Sequence, residues 1–113
     1  VTEQSNGSEF RINCEQYGAE CRAKLSGKIS VDSSPELRPL LLRMLTAGDC
    51  KILTVDFCEV VYIDTSGLAV LVQVLKSARH LGKRLQLSGL RERPRFLLES
   101  SGLLRLFDKA DDE

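Results

Sequence analysis

The sequence predicts an α/β fold: a mixed four- to five-stranded sheet that opens with an antiparallel hairpin and continues as β-α repeats with packed helices. Three observations lead there. The first part of the chain alternates apolar and polar residues with the period of a strand, in two segments joined by a short turn. The remainder switches between short apolar runs and helical i, i+3, i+4 spacing. Ser, Pro and Gly stand where those helical segments start and stop.

Phe10, Ile12 and Cys14 alternate with Arg11, Asn13 and Glu15; Ala19, Cys21, Ala23 and Leu25 alternate with Glu20, Arg22 and Lys24. Gln16-Tyr17-Gly18 turns the chain between them, giving a hairpin with one buried and one charged face. Ser33-Ser34-Pro35-Glu36 starts the first helix with a serine cap and a proline where the amide is unpaired anyway. Leu37, Leu41, Leu42 and Leu45 form its apolar stripe, and Gly48 suits its stop. Pro39 removes a main-chain bond, so this helix either starts beyond Pro35 or bends there. Lys51–Phe57 is expected to be a central strand covered on both faces.

Ser66–Leu81 reads as the second helix, closed by Gly82, with Leu68, Leu71, Val72, Leu75 and Ala78 inward. Arg84–Ser88 is a strand, Glu92–Ser101 a third helix with Pro94 in its first turn, and Leu103–Phe107 returns to the core. Right-handed crossovers then build a partly parallel sheet. Residues 9–107 form a single domain between a flexible N-terminal tail (1–8) and an acidic C-terminal tail (108–113).

At 113 residues the chain can bury one core without staples. Its 16 basic and 16 acidic side chains cancel, which removes the electrostatic case for direct DNA or RNA binding. Arg91, Arg93 and Arg95, interleaved with Glu92, read as a solvated face rather than an RNA site. The longest strongly apolar run, Leu68–Val72, is far short of the ~20 residues a membrane span needs, so no membrane insertion is expected. Val1–Glu9 lacks the apolar segment of a signal peptide. Cys14, Cys21, Cys50 and Cys58 show no Cys-x-x-Cys spacing and no pairing with the lone His80. They predict no metal site, no cofactor and free thiols in a reducing cytoplasm.

The stretch Val60–Val70 is the most informative. It places an acidic residue, two hydroxyls and a glycine at a helix N-terminus, where Asp64 or Thr65 can cap the free amides and Gly67 admits a close approach. By spacing alone, capping is the commoner meaning of such a run. Yet Leu68–Val72 leaves this helix no polar side at its start. Either Val70 and Val74 lie exposed as a contact patch, or the fold buries both sides. The turn also follows a parallel strand, where such sheets meet ligands and partners.

No catalytic residues are expected. Asp64-Thr65-Ser66-Gly67 supplies one carboxylate where an aspartic protease needs two. Ser66 and His80 are fourteen helical residues, or ~21 Å, apart. No phosphate-cradling glycine loop is present.

Ile63-Asp64-Thr65-Ser66-Gly67-Leu68-Ala69-Val70 resembles the signature of the STAS domain family, the bacterial anti-sigma factor antagonists (anti-anti-sigma factors): an apolar strand, Asp-Ser-Ser-Gly, then Leu-Gly/Ala-Val. Leu25-Ser26-Gly27, Val55-Asp56-Phe57, Leu85–Leu90 and Arg93 through Leu103 extend the resemblance over Glu9–Phe107. It implies a STAS-like fold and a cytoplasmic protein-binding regulator of transcription in bacterial signalling. The implied partner is an anti-sigma factor of the serine/threonine kinase type, which phosphorylates the residue after the motif aspartate. Here that residue is Thr65, with Ser66 the second choice, and a phosphatase would reverse the modification. Asp64, Thr65, Ser66, Gly67, Leu68, Val70 and Val74 are the expected partner-binding residues.

Three positions depart from the family pattern: Thr65 for the usual serine, Ser30 where an aspartate is common, and Arg91 for the serine cap of the third helix. The same fold also serves as the subunit that binds the ATPase of lipid-transport ABC systems, and as a stressosome-like scaffold. Thr65 and Ala69 lean towards the transporter branch, Ser66 and the Arg93–Leu103 region towards the sigma-regulatory one.

Overall fold

Burial alternates along Phe10–Tyr17 (β2) and the first half of Glu20–Ile29 (β3), and the two pair antiparallel through Cys14↔Ala23 to Tyr17↔Glu20. The computed structural model describes residues 2–4 and 9–109. The hairpin turn is Gly18-Ala19, where Gly18 takes a φ of 63° open mainly to glycine. From β3 onward the sheet is parallel: β3 pairs Ile52–Ile63 (β4), which pairs Arg84–Ser88 (β5). Between them the chain forms Ser34–Thr46 (α1) and Thr65–His80 (α2). Glu92–Ser100 (α3) and a 3-10 turn at Leu104–Leu106 follow.

Two further strands complete a sheet of six: β1 (Thr2–Gln4) pairs β2, and β6 (Asp108–Lys109) pairs β5. Both lie in the segments read as tails, and the rest of those segments is outside the described residues. Elements of three and two residues are too short to carry a period in sequence and exist only through edge pairing.

Phe10 and Ile12, Ala23 and Leu25, Leu53, Val55 and Phe57, and Leu85 and Leu87 are all buried and form the sheet's contribution to the core. The other face of β4 differs from expectation. Instead of a second apolar layer it carries Thr54 and Asp56 under a polar network. Thr54 Oγ1 lies 3.0 Å from Glu20 Oε2 and 3.2 Å from Gln86 Oε1, while Arg22 faces Asp56 at 3.6 Å and donates to Ser88. Every buried hydroxyl there has a partner, as burial requires.

The first helix starts at Ser34 and carries Pro39 inside it, so the later start is ruled out. Ser33 occupies the cap position without capping. Its backbone is helical rather than extended (φ −101°, ψ −20°), so the hydroxyl turns back, accepts from the Ser30 amide at 2.8 Å and points at the Lys28 carbonyl. Cys21 and Cys50 are buried, Cys14 half-buried and Cys58 exposed, all as free thiols. Among the described residues no helix is long and apolar enough to cross a membrane.

Candidate functional site

β4 runs on past the expected end at Phe57 to Ile63. Two register shifts against β3, between Lys24 and Ser26 and between Gly27 and Lys28, give β4 extra residues at Cys58 and Val61. Asp56 Oδ1 accepts from the Cys58 amide at 2.9 Å and steadies the first bulge. The strand then delivers Ile63 opposite Ile29, and the Asp64 amide donates to the Ile29 carbonyl at 3.2 Å. The turn is thereby fixed to two strands before the helix begins.

Asp64 is extended (φ −118°, ψ −170°), and its Oδ1 accepts from Ser66 N at 2.9 Å and Gly67 N at 3.4 Å. Asp64, not Thr65, is therefore the cap. Thr65 follows as the first helical residue, exposed, and among the described residues its hydroxyl has no hydrogen-bond partner. Ser66 is half-buried. The positions one, two and three turns beyond Thr65, at Ala69, Gln73 and Lys76, are exposed and continue a solvent stripe to His80 in the last turn.

Four expected partner-binding residues face inward instead. Gly67, Leu68, Val70 and Val74 are buried, the last completely. The helix lies against the sheet on one side and α1 on another, so the all-round apolar start serves the fold and not an exposed patch. The close approach allowed by Gly67 is likewise internal. A Cβ there would stand 2.6 Å from Ile63 Cγ1 and 2.9 Å from Ile29 Cγ2, and both isoleucines are buried.

The accessible site thus comprises the exposed Thr65 and Ala69 and the half-buried Asp64 and Ser66, together with a segment the motif does not indicate. The β3–α1 loop leaves the sheet at Ile29, beside Ile63, and presents Val31, 65% exposed, and Asp32. It is held by its serines: Ser34 Oγ donates to Ser30 O at 2.7 Å, and Ser30 Oγ to Glu9 Oε1 at 2.6 Å. The available sequence signal was Val31, an apolar residue alone in a polar turn. Among the described residues no cluster of His, Cys, Asp and Glu could hold a metal ion.

The fold and the turn define an α/β domain that presents a free hydroxyl at a capped helix mouth. The family model described as "Mlab, STAS domain" matches residues 12–108. The anti-sigma-B factor antagonist of Bacillus subtilis (strain 168) is 32% identical over 100 residues, covering 88% of this chain and 89% of that protein. That of Staphylococcus epidermidis is 32% identical over 80 residues, 71% of this chain and 73% of its own. An anti-sigma factor antagonist from Mycobacterium paratuberculosis shares the fold with a TM-score of 0.82 at 16% identity, over 91% of this chain and 86% of that one. Unphosphorylated SpoIIAA, an anti-sigma factor antagonist, does so with a TM-score of 0.69 at 12% identity, over 90% and 89% of the two chains. The chain belongs to the STAS domain family.

Proposed function

We propose that this domain is an anti-sigma factor antagonist: in the cytoplasm it binds an anti-sigma factor of the serine/threonine kinase type, releases a sigma factor, and is switched off by phosphorylation at Thr65. The observation that carries the reading is the division of labour at the helix mouth. Asp64 takes the capping bonds, which leaves the Thr65 hydroxyl exposed and unengaged. The curated relatives named as antagonists support the same reading.

The chemistry is a phosphoryl transfer in which the domain is substrate. A bond forms between Thr65 Oγ1 and the γ-phosphorus of ATP, the bond to the ADP oxygen breaks, and the hydroxyl proton leaves. The product adds about −1.5 to −2 charges beside Asp64. The positive end of α2 stabilises that charge within the domain, so the fold survives while the surface becomes repulsive to an acidic or tightly packed partner face. A phosphatase that removes the group restores binding.

Incubation with the candidate kinase and ATP, with the modified residue mapped by mass spectrometry, tests the site. Thr65→Ala is expected to bind and resist modification, and Thr65→Glu to bind at least tenfold more weakly. Wild-type affinity in Thr65→Glu would refute the electrostatic switch. A second reading, a STAS subunit on the ATPase of a lipid-transport ABC system, is favoured by the exposed pair Thr65 and Ala69. Identifying what co-purifies with the native protein separates a small kinase from a transporter ATPase or a stressosome-like assembly.

A further inference from the structure

β5 stops pairing at Ser88, opposite Asp56, whereas β4 continues to Ile63. Beyond Asp56, β4 therefore has β3 on one side and, among the described residues, no strand on the other. The start of α3 stands in that space and leaves an open groove of about 880 Å³, walled by residues 58–61 and 90–95. From this geometry we infer that the groove is a second docking surface, separate from Thr65, and that it takes an extended acidic segment of a partner protein.

Charge names the occupant. Arg91, Arg93 and Arg95 all line the groove. Arg95 pairs with Glu99 at 3.6 Å, but among the described residues no carboxylate pairs with Arg91 or Arg93. Arg91 gives one N–H to the Cys58 carbonyl at 3.1 Å, and the Arg93 guanidinium lies 4.5 Å from the Tyr62 ring centroid. Each is held in place with donors to spare, the arrangement that suits carboxylate recognition. The two glutamates on the walls, Glu59 and Glu92, offset the three arginines only in part and leave the lining basic. Glu59 faces Lys24 at 3.8 Å, and Glu92 sits in the first turn of α3, where the helix dipole favours it.

The apolar surface agrees. Val61 on the groove wall and Phe96, one turn beyond Arg93, are 66% and 68% exposed. An extended segment alternating acidic and apolar residues presents one set to the arginines and the other to these side chains, with its backbone along the free side of β4. Nucleic acid fits less well. Arg93 already covers the Tyr62 ring, which leaves Phe96 as the exposed aromatic beside the groove, short of the series of rings on which successive bases stack.

The test uses the full chain and a fluorescein-labelled dodecapeptide alternating glutamate with valine. A lysine-for-glutamate counterpart and a single-stranded oligonucleotide of equal charge serve as the other arms. Saturable anisotropy for the acidic peptide is expected, with amide chemical-shift changes confined to residues 57–63 and 89–96. Binding should weaken on adding salt and fall about tenfold in Arg93→Glu and in Val61→Glu. The lysine peptide is expected not to bind. Absence of saturation, or shifts centred on the Thr65 turn or elsewhere, would overturn the inference. So would an oligonucleotide that binds as tightly with the same dependence on Arg93, since the groove would then be a mere polyanion patch. Shift mapping on the unsubstituted protein decides the matter even where a variant unfolds.

Discussion

Asp64 and Thr65 are neighbours whose backbone geometry assigns them different tasks. The extended Asp64 turns its carboxylate onto two first-turn amides, and the helical Thr65 turns its hydroxyl to solvent. Removing the cap should act on the fold first: Asp64→Ala is expected to cost about 1 kcal/mol in urea denaturation, with Asp64→Asn recovering most of it. Gly67 is a packing residue. In an open helix Gly→Ala gains about 1 kcal/mol, but here the added methyl meets Ile63 and Ile29 in a closed core, and overpacking costs about 1–3 kcal/mol. Gly67→Ala should therefore lower the denaturation midpoint clearly, whereas the exposed Ala69→Ser should cost only the helix-propensity difference of about 0.5 kcal/mol.

At the scale of elements, β4 and α2 decide where the site lies. β4 gains residues at its bulges, and each extra residue re-aims the alternation that follows, so Cys58 and Glu59 are exposed in succession before Val60 returns to the core. Gly89 lies against this bulge with φ 65°, and a Cβ there would stand 2.7 Å from Asp56 Oδ1 and 2.9 Å from Cys58 N. Gly89→Ala should accordingly destabilise by about 2 kcal/mol or more, through both backbone strain and lost bulge geometry. On α2, Val74→Ala should cost about 2 kcal/mol of stability for its two lost methyls. It should leave partner affinity per folded molecule unaltered, because Val74 is buried between elements. A large loss of affinity at full folding would return that residue to the contact surface.

Across the whole molecule, the thiols report the integrity of the core. Burial is the main cause that pushes the Cys50 thiol up to about 12, with a hydrogen bond to Cys21 adding to it. An ordinary thiol ionises near pH 8.5, so the unfolded chain loses this proton first. Folding stability should be unaffected by Cys50 below about pH 8.5 and should decline from there towards pH 12, a slope that Cys50→Ala removes. At neutral pH a thiol-specific reagent is expected to modify Cys58 rapidly, and Cys21 and Cys50 only at the rate of unfolding.

Local pattern by itself determined the hairpin, the three helices, the β-α order and the turn that bears Thr65. All of these rest on periods and caps contained within a few consecutive residues. The edge strands β1 and β6, the length of β4 and the polar second face of that strand were decided only in three dimensions. Pairing partners, bulges and long side chains from other strands supply them; only the polar face had a local trace, Thr54 and Asp56 alternating with Leu53, Val55 and Phe57. The same holds at the site. The run Asp64-Thr65-Ser66-Gly67 left the cap open between Asp64 and Thr65, which backbone geometry decided for Asp64, and an apolar helix face looks identical in sequence whether solvent or α1 covers it. Packing turned Val70 and Val74 inward and left Thr65 at the surface with Val31 and Asp32 at the same end of the sheet.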